Sequence, residues 1–445
     1  MALLASLAAC SAPSAAPPPA ASLESSPTAA PAAAQATGIS SATSTAPADE
    51  SSTAPITIRW RTRSSSAAEQ EVYQSLNALA NEQLARKNVV VEYDPATNEG
   101  YFEKLQTELA AGVAPDIFWI GSVQISDFVE TGQILDIKPY ADADPAFDLA
   151  AFYPQTIAEL SREGALYGLP RDVSTMVVYY NADMFADAGL PTPQELVEQG
   201  DWTLERMREL ARELADPSNQ QYGVGFNNWW GPSWGYFVHA FGGSIFNADR
   251  TACALDSAAA LEAARFVRTL YDEQLAPVDD GQALFNAGNV GMYFNGRWFT
   301  PSVRTNAQFN WDVAEMPRGA ESMTWLFWGP YLVNARTENP EAAWEMLKML
   351  TSAEAMAQAA SQGANIPART DPAAVGAFLQ ATPPQNNQAF LDGTPYAIAE
   401  APIWGGSWND YSGAVQSLWD EMILGQMSPE EFTSQVCAEA NATFE

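Results

Sequence analysis

The chain has 445 residues, too many for one small core and enough for two or three compact units. Apolar residues make up 47 %, but 54 acidic against 21 basic residues leave a formal net charge of −33, with Lys87, Lys104, Lys138 and Lys348 the only lysines. Such a field repels phosphate backbones and anionic headgroups, which argues against nucleic-acid or polybasic membrane binding. One histidine and three cysteines cannot build the common zinc sites, and no apolar run is long enough for a spanning helix, so neither metal nor cofactor is expected.

In chain order, Leu7-Ala8-Ala9-Cys10 resembles a bacterial lipobox, in which Cys10 becomes the lipidated first residue of the mature chain. Residues 1–10 then read as a remnant signal peptide, although the basic n-region and most of the apolar h-region of an export signal are missing. From 11 to 55 the chain is almost entirely Ala, Ser, Pro and Thr. This composition cannot offset its ordering entropy by burial, so a disordered tether is expected, reaching roughly 35–40 Å.

Order begins where Ile56, Ile58 and Trp60 alternate with Thr57, Arg59 and Arg61, a strand period. Ser66 and Glu69 have capping-box spacing, opening a helix with Val72, Leu76, Leu79 and Leu84 on one face. Val89 to Tyr93 reads as a second strand. A helix bearing Phe102, Leu105 and Leu109 follows, with Gly112 as its stop, and then a third strand from Asp116 to Ile120. This βαβαβ run places the carboxyl ends of its strands on one edge, where open α/β sheets bind ligands. Trp60-Arg61-Thr62 and Trp119 with Gly121-Ser122 are the residues expected there. No glycine-rich nucleotide cradle occurs at either turn.

Tyr101-Phe102-Glu103-Lys104-Leu105 leading to Ala110-Ala111-Gly112-Val113-Ala114-Pro115-Asp116 resembles the signature of family 1 extracellular solute-binding proteins, the maltose-binding-protein-like group that serves sugar ABC importers. The likeness continues in order through Leu166-Tyr167-Gly168-Leu169-Pro170, Val178-Tyr179-Tyr180-Asn181 and the helix from Thr203 to Leu214. It then takes in Phe285 to Met292 with Asn295-Gly296-Arg297-Trp298, and Asn339-Pro340-Glu341-Ala342-Ala343-Trp344. The resemblance implies an α/β, clamp-like type II periplasmic-binding fold with the ligand between two lobes. The first lobe would comprise 56–174 and 323–366, the second 175–322 and 367–445. Closure by hinge motion is a known habit of periplasmic binding proteins as a class.

A sugar presents hydroxyls around an apolar C–H face. Its pocket therefore needs flat aromatic surfaces and planar polar groups that satisfy several hydroxyls at once. Among the 14 tryptophans, several lie on glycine-bordered loops, poorly placed for a helix core and well placed to line a cleft. Trp229, Trp298, Trp328 and Trp404 are expected to touch ligand, with Trp60, Trp119 and Tyr411 as further aromatic candidates. Asp172 sits where the resembled family contacts ligand, whereas Asp116 could equally be held by its own sheet edge. Arg61, Asn228, Asn295, Arg297 and Asn365 are candidate hydroxyl partners. Trp202, Trp311, Trp344 and Trp419 read as packing residues, and His239, in an apolar run, as a core histidine.

With Cys10 lipidated, Cys253 and Cys437 remain, both in the second lobe of the resembled topology, and they could form a disulfide or stay as two buried thiols. The expected protein is a monomeric, lipid-anchored binder on the outer face of the cytoplasmic membrane, partnered by permease subunits, with no chemistry of its own. A neutral mono- or oligosaccharide is the expected ligand. A glycerol phosphate would call for a cluster of cations, and only Arg61, Arg171 and Arg297 lie near the expected cleft. Polyol binding is a further alternative. So is an exported glycoside hydrolase, which would need two carboxyl groups ~5–10 Å apart across the scissile bond, and no motif points to such a pair. A structural adhesin would leave the hinge pattern unused.

Overall fold

The computed structural model describes residues 54–64, 67–278, 281–363, 365–404 and 406–444, all within one compact unit, Ala54–Glu445. The lipobox-like residues up to Cys10, the tether as far as residue 53 and Ser66 of the capping box lie outside the described residues.

The strands, in chain order, are β1 (Ile56–Ser64), β2 (Val89–Thr97), β3 (Ile117–Trp119), β4 (Ser161–Arg162), β5 (Ala165–Leu166) and β6 (Gly168–Asn181). They continue with β7 (Tyr222–Phe226), β8 (Val290–Gly296), β9 (Trp311–Ala314), β10 (Thr324–Val333), β11 (Ile366–Pro367) and β12 (Ala397–Ala399). Ten of them form one sheet in the order β2-β1-β3-β10-β6-β8-β7, with β9 and β11 also paired to β6 and β12 to β10, while β4 and β5 pair as a separate hairpin.

The opening βαβαβ is present. β1 pairs in parallel with β2 and β3 through crossover helices Ala67–Leu84 and Tyr101–Ala111. The second helix stops at Gly112 because that residue turns left-handed, at φ +73°, and its N–H donates to the Leu109 carbonyl at 3.2 Å. β1 runs four residues further than its hydrophobic alternation suggested, to Ser64.

β6 and β10 join the two parts of the sheet. Leu169 to Thr175 of β6 pairs antiparallel with β10, and Met176 to Asn181 pairs with β8 and β9. The two-residue period of a strand decides the packing. Val177 and Tyr179 point into one hydrophobic cluster, together with the β1–β3 interior, while Met176, Val178 and Tyr180 point into a second. On β10, Leu326 and Trp328 join the first cluster and Trp325 and Phe327 the second.

Helices Pro340–Leu350 and Ala353–Ser361 cover the first cluster, and helices Ala258–Asp272, Trp408–Ile423 and Pro429–Asn441 pack together in the second. Helix Pro372–Leu379 packs on Ala353–Ser361 and contributes Ala374 and Phe378 to the first cluster. No helix among the described residues is long and apolar enough to cross a membrane.

Cys253 and Cys437, 184 positions apart in sequence, form a disulfide with Cα atoms 5.2 Å apart. It ties the segment before helix Ala258–Asp272 to the last long helix. Closing so long a loop restricts the unfolded chain, typically by about 2–4 kcal/mol. The double variant Cys253→Ser/Cys437→Ser is expected to melt a few degrees below the parent in a calorimetric scan. An unchanged midpoint would mean that the bond contributes nothing to stability.

Candidate functional site

The site grows from the carboxyl ends of β1 and β3, which Arg171 of β6 reaches past the intervening β10. Arg63, the penultimate residue of β1, lays its guanidinium 4.5 Å from the centre of the Trp119 ring and donates from Nη1 to Asn98 Oδ1 at 2.8 Å. Arg171 of β6 approaches the same indole to 4.8 Å. Its Nη1 donates to Thr62 Oγ1 (2.8 Å) and to the Tyr73 hydroxyl (2.9 Å), while Nε and Nη2 donate to Asp172 Oδ2 at 3.1 and 2.8 Å. The Tyr73 hydroxyl in turn donates to Glu69 Oε1 at 2.7 Å. Burial pushes the Arg63 guanidinium below its ordinary value, and the charge of Arg171 adds to that shift. Burial also pushes the Asp172 carboxyl up, against the pull of Arg171.

Two buried donors here, Arg63 Nε and Trp119 Nε1, have no hydrogen-bond partner among the described residues. An orphaned buried donor costs about 1–3 kcal/mol, so such groups mark strain or a place for a ligand acceptor. Backbone approach is close: a Cβ on Gly329 of β10 would overlap Trp119 Nε1 and stand 2.7 Å from the Ile120 carbonyl oxygen.

An aromatic group lies beyond the same stretch of β10. Phe327 meets Trp298 at 5.2 Å and 77°, and Trp229 at 5.4 Å, while Trp230 meets Trp325 at 5.0 Å and Trp408 at 4.8 Å. These are edge-to-face or tilted contacts, the favoured geometry for aromatic pairs. Trp229 and Trp298 lie against glycine backbone, since a Cβ on Gly231 or Gly296 would overlap their rings. Trp298 is 41 % exposed, the only exposed tryptophan of the fourteen.

The two groups are joined through the strands themselves. Asp172 pairs with Gly329, Val173 with Trp328 and Ser174 with Phe327, and Ser174 Oγ accepts from the Arg297 backbone N–H at 2.7 Å. Glu400, just past β12, is fixed along β10. Its N–H donates to Leu326 O (3.0 Å), its carbonyl accepts from Trp328 Nε1 (2.7 Å), and its carboxyl accepts from Ser122 Oγ. Burial pushes this carboxyl up to about 7, although the Ser122 hydrogen bond and the charge of Arg63 pull the other way.

A family model described as "Bacterial extracellular solute-binding protein" matches residues 66–357, about two thirds of the sequence. The chain belongs to that family. Among relatives of this solute-binding protein, a binding protein of Brucella abortus (strain 2308) is 24 % identical over 353 residues, covering 76 % of this chain and 82 % of its own. The maltodextrin-binding protein of Bacillus subtilis (strain 168) is 24 % identical over 286 residues, 60 % of this chain and 64 % of its own. Among solved structures, an ABC substrate-binding protein from Listeria monocytogenes in complex with cycloalternan superposes with a TM-score of 0.79 at 24 % identity, covering 87 % of this chain and 99 % of the other. That likeness shows a shared fold.

Of the positions read from the sequence, the solute-binding fold brings Trp119, Asp172, Trp229, Trp298 and Trp328 to this region. Asn365 lies two residues before Pro367, which pairs with Asp172. The remaining positions need correction. Trp60 is fully buried, ringed by Tyr73, Tyr93 and Tyr331, with Nε1 donating to Asn77 Oδ1 at 3.0 Å, so no face is open to a ligand. Arg61 is 3 % exposed and spends its donors on Asp94 and Glu108. Asp116 is held by the Arg59 N–H and the Thr337 hydroxyl. Asn228 donates to Asp420 and accepts from Ser233 and Gln416, within the second cluster's helical layer.

Asn295 is not among those to correct: it is buried, its Oδ1 accepts from the Gly296 N–H at 2.8 Å, and its Nδ2 has no hydrogen-bond partner among the described residues. Arg297 is fully buried. It donates to Asn387 Oδ1 and the Ala381 carbonyl and lies over Phe378 and Phe390, and burial pushes its guanidinium down to about 10. Tyr411 is a core residue whose hydroxyl donates to Ile245 O at 2.6 Å. Trp404, half-buried, carries the Arg162 guanidinium 4.0 Å from its ring centre.

Arg63, Glu400 and Phe327 were missed. Carrying the β1 alternation on to Ser64 would have put Arg63 at the strand end, whereas nothing in the Ala/Pro surroundings of Glu400 marks it. The contrast between neighbours is testable. Arg297→Met should lower the melting temperature by a few degrees, since it leaves Asn387 Oδ1 stranded at a cost of about 1–3 kcal/mol. Trp298→Ala should shift it by no more than about a degree, as expected for an exposed side chain. Scanning fluorimetry of the two variants checks the pair, and equal shifts would contradict the placement.

Proposed function

We propose that this chain is the extracytoplasmic solute-binding component of an ABC importer. It captures a neutral mono- or oligosaccharide between the two parts of its sheet and passes it unaltered to a membrane permease. The observation that carries this reading is the grouping, along one stretch of β6 and β10, of the exposed Trp298 indole and the half-buried Trp229 with the donors of Arg63 and Trp119 and the carboxyls of Asp172 and Glu400. A pyranose ring asks for that combination of one apolar platform and several hydroxyl partners at fixed angles. Family membership supports it, as do relatives named for maltodextrin and galactooligosaccharide and a fold shared with a protein holding cycloalternan.

Two lobes built around the β1–β3 and β7–β9 parts of the sheet would close about β6 and β10. Cys10, after Leu7-Ala8-Ala9, would carry the lipid that holds a monomeric receptor at the outer face of the cytoplasmic membrane. Neutral ligand is favoured because Asp172, Glu69 and Glu400 surround the two arginines, leaving no net cationic nest.

The test is a thermal-shift and tryptophan-fluorescence screen of the full chain. It should include maltodextrins, galactooligosaccharides, monosaccharides, mannitol and sn-glycerol 3-phosphate. At least one neutral saccharide should raise the melting temperature by mass action and quench fluorescence saturably, with no product on chromatography. Trp298→Ala should weaken that binding ten-fold or more. Stabilisation by the phosphate ester alone, or release of hydrolysis products, would overturn the proposal.

A further inference from the structure

Asp172 is held by one oxygen only. Arg171 Nε and Nη2 both donate to Asp172 Oδ2, at 3.1 and 2.8 Å, and no described residue donates to Oδ1. The side chain is 13 % exposed, and Oδ1 is not among the buried unpartnered atoms. The opposite edge of the Arg171 fork is fixed as firmly. Nη1 donates to Thr62 Oγ1 at 2.8 Å and to the Tyr73 hydroxyl at 2.9 Å. A phenol has one proton, and Tyr73 gives it to Glu69 Oε1, four residues earlier on the helix Ala67–Leu84. Towards Arg171 that oxygen can therefore only accept. Tyr73 is itself buried, packed against Trp60 and Tyr93. Glu69, Tyr73, Arg171 and Asp172 thus form one directed chain of hydrogen bonds.

Asp172 pairs with Gly329 across the ladder, and residues directly opposite one another put their side chains on the same face. Gly329 has no side chain, and a Cβ there would overlap Trp119 Nε1. The indole N–H thus stands where that side chain would be, on the face of the Asp172 carboxylate, yet it donates to no described residue. The guanidinium groups of Arg63 and Arg171 already lie over the indole ring, so its N–H edge is what it offers a ligand. A free donor and a free acceptor share one face. A hydroxyl, which both accepts and donates, completes the two together.

We propose that Trp119 Nε1 and Asp172 Oδ1 share one ligand hydroxyl, and that Tyr73 and Arg171 are positioning residues that hold the carboxylate to receive it. The proposal deepens the saccharide reading given above and rests on it. A ligand lacking that hydroxyl strands two polar groups at once, which makes the pair a source of specificity. Lysine could not replace Arg171, because an ammonium lacks the planar fork that spans Asp172, Thr62 and Tyr73.

The test combines titration calorimetry of the full chain, using each maltodextrin, galactooligosaccharide and monosaccharide of the panel above, with ligand-free crystal structures. Trp119→Phe, Asp172→Asn and Tyr73→Phe should each weaken saccharide binding about ten-fold or more. Tyr73→Phe combined with Asp172→Asn should bind no more weakly than Asp172→Asn alone, since the tyrosine acts only through the carboxylate. In the ligand-free Tyr73→Phe crystal, Arg171 or Asp172 should be turned from its parent position. Glu69→Ala loosens the same chain without altering a core ring, and it serves should Tyr73→Phe not fold; it should weaken binding about two- to five-fold. Unchanged affinity in Trp119→Phe would overturn the shared hydroxyl. A Tyr73→Phe variant that melts lower but binds as the parent does, losses that add in the double variant, or an unmoved Asp172 would overturn the positioning role. Should no saccharide bind the parent, the shared hydroxyl falls with the saccharide reading, and the crystals still decide whether Tyr73 and Arg171 place Asp172.

Discussion

Two long antiparallel strands govern the molecule. Every residue of β10 is buried, and so is every residue of β6 except Arg171. Side chains alternate between two hydrophobic clusters from Met176 to Tyr180 of β6 and from Trp325 to Trp328 of β10, so a slip of one position there would exchange the faces. A continuous hydrogen-bonded ladder thus holds the β1–β3 part and the β7–β9 part in register. Ser122, after β3, also meets Glu400, after β12, through their side chains. Stiff connectors with weaker flanking contacts are what a clamp requires, since the connectors keep the jaws aligned while the contacts open and close.

The arginines show how low dielectric separates structural from functional charge. Arg61 is compensated by two carboxylates and Arg171 by Asp172, whereas Arg297 is held only by amide and carbonyl oxygens and two phenyl rings. Removing a partner from any of these leaves a buried group unpaired, so they read as supports. Arg63 and Arg297 each keep a buried Nε unsatisfied, and the Arg63 guanidinium lies against Trp119, whose indole N–H is equally unsatisfied. In a family whose members bind solutes, unsatisfied donors are what a hydroxyl-bearing ligand can complete.

Much of the architecture was legible in the sequence because it follows from short-range periodicity. Ile56, Ile58 and Trp60 alternate, the Leu105/Leu109 face is helical and Gly112 ends its helix, so the βαβαβ opening could be read residue by residue. The candidate site was harder, for two reasons. Strand ends are set by pairing partners, and β2 carries β1 on to Ser64, which turns Trp60 and Arg61 from edge residues into interior ones and puts Arg63 in their place. Burial of polar residues is also decided by distant contacts. Asn228, Arg297 and Tyr411 look available in sequence but are consumed by Asp420, Asn387 and Ile245, from 90 to 192 positions away. Gly231 and Gly296 let the indoles of Trp229 and Trp298 lie directly on backbone.

The central claim is that ligand sits along the crossing of β6 and β10, between the indoles of one part and the guanidinium–carboxylate group of the other. A crystal structure of the protein grown with whichever neutral saccharide most raises its melting temperature tests this most directly. Sugar density should contact the Trp298 or Trp229 ring face and receive hydrogen bonds from Arg63 Nε or Trp119 Nε1. Density confined to another surface, such as the groove beside Trp344 and Lys348, with those two donors still unpaired, would contradict the account.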